Sequence, residues 1–164
     1  MKLKAGRQVQ EHRAAYSTRQ SNAPRALPFP QAKHLTRKER IALKAYQDYL
    51  LEKLPDQIER IVLFGSKARG DGAADSDLDI LVVVKGDDGA LESLESRRKK
   101  LGDGAYDLDS QYGVYISPIV KPLDQVQKWT PLLEHIHQDG IELWRRPGTR
   151  VAQWPPEGVT AMAM

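Results

Sequence analysis

The stretch FGSKARGDGAADSDLDILVVV, residues 64–84, constrains the fold more than any other part of the chain. It joins two apolar runs. Ile61–Phe64 reads as a short buried strand and Asp77–Val84 as a second, because runs of β-branched and aliphatic residues bounded by Gly, Ser and Asp are strand signals. Between them Gly65 marks a turn, Ser66–Arg69 can begin a short helix, and the following loop is rich in Gly and Asp. An ordinary acidic loop has no need to end in a buried strand.

Two carboxylates at i and i+2 on a strand point to the same face. Asp77 and Asp79 are therefore expected to aim together, with Leu78 and Ile80 facing the other way. Like charges so close repel unless a cation lies between them. Paired oxygen ligands suit Mg²⁺, which keeps several waters and completes its shell with substrate phosphates. The turn at Gly65-Ser66 supplies the matching phosphate site: glycine allows close backbone approach, a helix start offers free amides, and the serine hydroxyl adds a hydrogen bond. Neither half is specific by itself. Together they predict a metal-nucleotide site for in-line phosphoryl chemistry.

Around this centre the sequence predicts alternating helices and strands. T-R-K-E at 36–39 is a capping box, and Ile41, Ala42, Ala45, Tyr46, Tyr49 and Leu50 recur at helical spacing until Leu54-Pro55-Asp56 stops the helix. K-G-D-D-G at 85–89 reads as a turn. A helix is expected from about Leu91 to Asp109, weakened late by Gly102 and Gly104. GVYISPIV at 113–120 reads as a third strand, with Pro118 marking an edge or bulge. Pro131–Gln138 is expected to be helical up to the cap Asp139-Gly140, and IELW at 141–144 to form a last strand. His135 and His137 stand two apart on that helix, so they do not share a face.

With 164 residues the expectation is one domain with one core. Charge is uneven. Residues 1–34 carry seven Lys/Arg against one acid, a net +6, and the remainder holds 18 basic and 21 acidic residues, a net −3. This basic leader, closed by the prolines of APRALPFPQ, reads as a solvated, disordered arm. Phosphate contact with a nucleic acid is possible through it but not favoured. The leader lacks an apolar h-region, and Ile80–Val84 is far too short to span a bilayer, so no membrane partner is expected. The absence of cysteine excludes thiolate metal sites and suits a reducing cytoplasm.

Gly65-Ser66, ten residues, then Asp77-Leu78-Asp79 resembles the GS-x10-DxD pattern of minimal nucleotidyltransferases in the DNA polymerase β-like superfamily. K-A-R-G at 67–70 and S-D at 76–77 match as well. The resemblance implies an α/β (α+β) fold, a small mixed β-sheet flanked by helices, in a domain over 35–146. The leader 1–34 precedes it, and the Pro- and Gly-rich residues 147–164 read as a flexible tail. The resemblance also implies transfer of NMP, AMP from ATP or another NTP, to a hydroxyl with loss of pyrophosphate. Gly65 and Ser66 would hold the triphosphate, and Asp77 and Asp79 would be the catalytic residues binding two Mg²⁺ ions. Arg69 either approaches phosphate or pairs with an acid such as Asp75. Compact stand-alone members resemble antitoxins that adenylylate a tyrosine of a HEPN-type toxin, which makes a separate acceptor protein the first expected partner. An aminoglycoside-like small molecule and an RNA end come next. Many members carry a third carboxylate on a later strand, whereas GVYISPIV has none. Tyr115 and Ser117 share one face there, and Asp107 and Asp109 lie upstream at an expected helix end. That departure leaves open a weak enzyme, or a nucleotide-binding antitoxin or regulatory module acting by contact.

Overall fold

The computed structural model describes residues 26–86, 92–128 and 130–148. Its elements are α1 (Arg37–Lys53), β1 (Ile58–Phe64), α2 (Gly65–Arg69), β2 (Leu78–Val84), α3 (Leu94–Tyr112), β3 (Ile116–Pro122), α4 (Leu123–Val126), α5 (Pro131–Asp139) and β4 (Ile141–Arg145). The expected mixed sheet flanked by helices is present. Its strand order is β3-β2-β1-β4, with β1 antiparallel to β2 and β4, and β2 parallel to β3. Alternation along the strands splits the interior in two. Ile58, Ile61, Leu63, Leu78, Ile80, Val82 and Val84 pack with α1 and α3 in the main core. Val62, Phe64, Leu81 and Val83 pack with Val126, Leu133 and Ile136 on the opposite face.

The capping box forms as expected: Thr36 Oγ1 accepts from the Glu39 amide at 3.2 Å, and Glu39 Oε2 accepts from the Thr36 amide at 2.7 Å. The buried stripe of α1 is Glu39, Ala42, Leu43, Tyr46 and Leu50, with Ile41 exposed. It is rotated from the expected face because Glu39 itself turns inward, toward a partner described below. Helix α3 runs unbroken through Gly102 and Gly104 to Tyr112, where Gly113 at φ +60° caps it. Gly104 serves packing, since a Cβ there would collide with the Tyr49 ring. Tyr46 and Tyr49 donate to the carbonyls of Leu101 (3.0 Å) and Lys100 (2.8 Å), joining α1 to α3.

Phe29 and Ala32, in the stretch read from sequence as leader, are buried in the main core. Arg40 holds that segment by donating to the carbonyls of Phe29 (2.7 Å) and Leu35 (3.1 Å). The rest of the leader, the tail from 149 and the turn residues 87–89 lie outside the described residues.

Strand β3 is an edge, as Pro118 suggested. Its outward-pointing backbone groups are covered locally: Asp109 Oδ1 accepts from the Ile116 amide at 2.8 Å, Pro118 and Pro122 carry no N–H, and Arg98 donates to the Val120 carbonyl at 3.4 Å. Asp109 therefore sits within α3 and terminates an edge, where the sequence suggested a helix end. Among the described residues no helix is long and apolar enough to cross a membrane.

Candidate active site

Five residues singled out from sequence meet where β1 ends and β2 begins. Phe64 pairs with Asp79 in the antiparallel ladder, so the chain leaving β1 at Gly65 turns directly beside that carboxylate. Gly65 has φ +75°, and a Cβ on it would collide with Asp79 Oδ2. Glycine is needed here twice, for the left-handed backbone and for the carboxylate that packs on it. Behind it, the Ser66 carbonyl accepts from the amides of Gly70 (2.8 Å), Asp71 (3.1 Å) and Gly72 (3.2 Å). A Cβ on Gly72 would approach Ser66 Oγ to 2.9 Å, so the loop closes tightly over the serine.

Asp77 lies one residue before β2 and is exposed, where the sequence placed it inside the strand. The amide of its neighbour Leu78 donates to the Tyr115 carbonyl at 2.8 Å, which anchors the loop end to the start of β3. Asp79 is half-buried. Burial, and then the charge of Asp77, raise its pKa above the usual carboxylate value, and Arg69 opposes the rise. Arg69 pairs with Asp71 (3.1 Å) and Asp139 (3.8 Å), not with Asp75 as one sequence reading had it. Asp71 is two residues away on the same turn, and α5 brings Asp139 against α2, so both reach the guanidinium first.

Sequence reasoning missed Lys67. Its ammonium meets Glu39 Oε1 at 2.6 Å, with both side chains under a tenth exposed. Burial pushes the Glu39 pKa up, but hydrogen bonds from Lys67 and Thr36 outweigh it and leave the carboxyl below its ordinary value. The start of α1 is thereby tied to α2. A lysine beside the G-S turn and a glutamate at the third position of a helix were both visible, but nothing local pairs them.

The place beside Asp79 on β3 is taken by Ser117. No third carboxylate stands in that ladder. Asp109 is the further acid that senses Asp77: burial first, then Asp77, raise its pKa, while its bond from the Ile116 amide lowers it. A cavity of about 410 Å³ opens between the start of α1, the loop at Ala74–Ser76 and the residues before β3, lined by Lys38, Glu39, Lys67, Ser76 and Tyr115 among others. Among the described residues no group of three or more His, Cys, Asp or Glu could hold a metal. The fit is instead to a cation taking two carboxylates plus phosphate and water oxygens. The raised Asp79 pKa and the Gly65 cradle that a Cβ would fill both agree with that.

The family model of the nucleotidyltransferase domain matches residues 43–131, more than half of the chain. A Methanocaldococcus jannaschii protein named "Putative protein adenylyltransferase" is 34% identical over 79 residues, covering 48% of this chain and 74% of that protein. A second protein of that name and organism is 39% identical over 74 residues, covering 44% of this chain and 48% of its own length. The chain belongs to the nucleotidyltransferase domain family, and its enzyme class is nucleotidyltransferase. Among solved structures, a toxin-antitoxin with AMP-PNP is similar at 20% identity and TM-score 0.42, covering 62% of this chain and 73% of that one. A tri-AMPylated Shewanella oneidensis HEPN toxin in complex with MNT antitoxin gives 18% identity, TM-score 0.41, and coverage of 65% and 72%. Family membership rests on the domain match and the sequence relatives, not on these distant structural likenesses.

Proposed function

We propose that this protein transfers AMP from ATP to a hydroxyl on a separate acceptor protein, with a HEPN-type toxin as the first candidate and an antitoxin role as the consequence. The observation that carries the proposal is the packing of Gly65 against the Asp79 carboxylate, with Asp77 beside it. This brings a backbone turn that can accept phosphate into contact with an acidic pair whose repulsion a cation would relieve. The names of the curated relatives support a protein acceptor.

In this reading Asp77 and Asp79 hold Mg²⁺, one or two ions, which neutralises charge on the triphosphate when bound. Gly65 and Ser66 hold the triphosphate with the β- and γ-phosphates over α2. Arg69, kept in place by Asp71 and Asp139, faces the leaving pyrophosphate. The acceptor hydroxyl approaches from the side away from α2, in line with the breaking bond.

The test is transfer from α-labelled ATP with Mg²⁺ into host-cell lysate, with Asp77→Asn/Asp79→Asn as control. Label on one protein band that vanishes in the control supports the proposal. Label on RNA or on a small molecule replaces the acceptor. A second reading has a specific basis, namely Ser117 where a third carboxylate would stand. In that reading the protein binds nucleotide and blocks its partner by contact. No transfer, alongside a clear ATP-Mg²⁺ rise in melting temperature, would select it.

A further inference from the structure

We propose that Tyr115 is itself an acceptor, so that in the absence of a partner the protein adenylylates its own Tyr115; the inference rests on the nucleotidyl-transfer reading above. The parallel ladder pairs Leu78 with Ile116 and Asp79 with Ser117. Asp77 and Tyr115 each stand one residue before this ladder, and the Leu78 amide's bond to the Tyr115 carbonyl carries the pairing back to them. Alternation then puts Asp77, Asp79, Tyr115 and Ser117 on one face, with the two backbones about 4.8 Å apart. Across the sheet the row runs from Gly65 just after β1, through Asp77 and Asp79 at the start of β2, to Tyr115 and Ser117 at the start of β3. If the triphosphate leaves over Gly65-Ser66, the in-line nucleophile must come from the β3 side, where Tyr115 stands.

Its backbone is pinned on both sides. The Tyr115 carbonyl accepts from the Leu78 amide and the next amide, of Ile116, donates to Asp109, each at 2.8 Å. The side chain is nonetheless 63% exposed, although its neighbours Val114 and Ile116 are buried. A phenol is long enough to carry its hydroxyl over the adjacent strand. Ser117 shares the face, but its hydroxyl sits one bond beyond Cβ and cannot rise to a phosphate held above the carboxylates. Tyr106, 72% exposed, lies within α3 and not at the start of β3.

In the step, the Tyr115 phenolic oxygen bonds to the α-phosphorus of ATP. The bond from that phosphorus to the bridging oxygen breaks, pyrophosphate leaves with the electron pair, and the phenolic proton passes to solvent. The product is an O-adenylyl-tyrosine.

Two measurements on the full chain test this. After incubation with ATP and Mg²⁺ alone, intact mass should rise by one AMP. Fragmentation of the tryptic peptide 101–128, left whole at the resistant Lys121-Pro122 bond and also holding Tyr106 and Tyr112, should place it on Tyr115. The adduct should disappear in Tyr115→Phe and in Asp77→Asn/Asp79→Asn. Independently of turnover, nitration by tetranitromethane should be slowed severalfold at Tyr115 and unchanged at Tyr106 when α,β-methylene-ATP and Mg²⁺ are present, because that analogue occupies the site without being cleaved. No adduct, an adduct on another residue, or equal nitration of Tyr115 with and without the analogue each overturns the proposal. If the analogue still raises the melting temperature and label still reaches a lysate protein, only the Tyr115 assignment fails. If neither occurs, the nucleotidyl-transfer reading fails with it.

Discussion

Two ionised pairs flank the five-residue helix α2, and they are opposites. On one side Lys67 and Glu39 form a buried ion pair at 2.6 Å that lowers the Glu39 pKa. On the other, Asp77 and Asp79 form a like-charge pair, and burial together with mutual repulsion raises the Asp79 pKa. The first pair is complete when the chain folds. The second keeps part of its repulsion after folding, with Arg69 opposing it, and a bound cation would relieve the rest. The 41 residues from Glu39 to Asp79 thus hold both a brace and an acidic pair, and the brace ties α1 to the helix beside that pair.

Breaking the brace should have the largest effect. Lys67→Met leaves Glu39 buried and uncompensated, which costs about 3–5 kcal/mol and appears as a lower urea midpoint at unchanged slope. Adding Glu39→Gln should recover part of that loss. Full stability in the single variant would show that the pair is not structural. Next comes Gly65→Ala: a non-glycine residue in the left-handed region costs on the order of 1–3 kcal/mol, and its Cβ must also displace Asp79. The melting-temperature rise with ATP-Mg²⁺ should then vanish, and a retained rise would detach Gly65 from the site.

On the acidic side, Asp79→Asn should raise the melting temperature in metal-free buffer while abolishing the response to ATP-Mg²⁺. A fall in metal-free stability would mean that Asp79 already has a partner. The smallest effect is on pH. Glu39 has a folded pKa below its unfolded value, so its contribution is full above pH 4.5 and is lost as pH falls through the lowered folded pKa. Asp79 acts with the opposite sign: its raised folded pKa favours the fold at acid pH, a benefit lost as pH rises. Urea midpoints followed from pH 6 downwards, in wild type and in Lys67→Met, should fall with acid more steeply in wild type.

What the sequence made legible was local. The capping box at Thr36 and Glu39, the cap at Gly140 and the edge character of Pro118 each depend on residues a few positions apart. The shared placement of Gly65, Ser66, Asp77 and Asp79 was legible because one turn and two strands bring them together. Lys67 with Glu39 was not, since 28 residues separate them and neither helix position alone calls for burial. Phe29 and Ala32 were hidden behind prolines, which rule out helix but not burial. The continuity of α3 through Gly104 depended on a tyrosine ring from another helix, and Asp109 found its amide only because Gly113 reverses the chain.

The covered outer side of β3 also restricts how anything can assemble with this domain. A partner segment seeking to add itself as a further strand would find one amide occupied by Asp109, two prolines with nothing to donate and a carbonyl engaged by Arg98. β-augmentation at this margin is therefore closed. Recognition beside Tyr115 must come from side-chain complementarity, which can distinguish one partner from another where a backbone ladder would accept almost any extended chain.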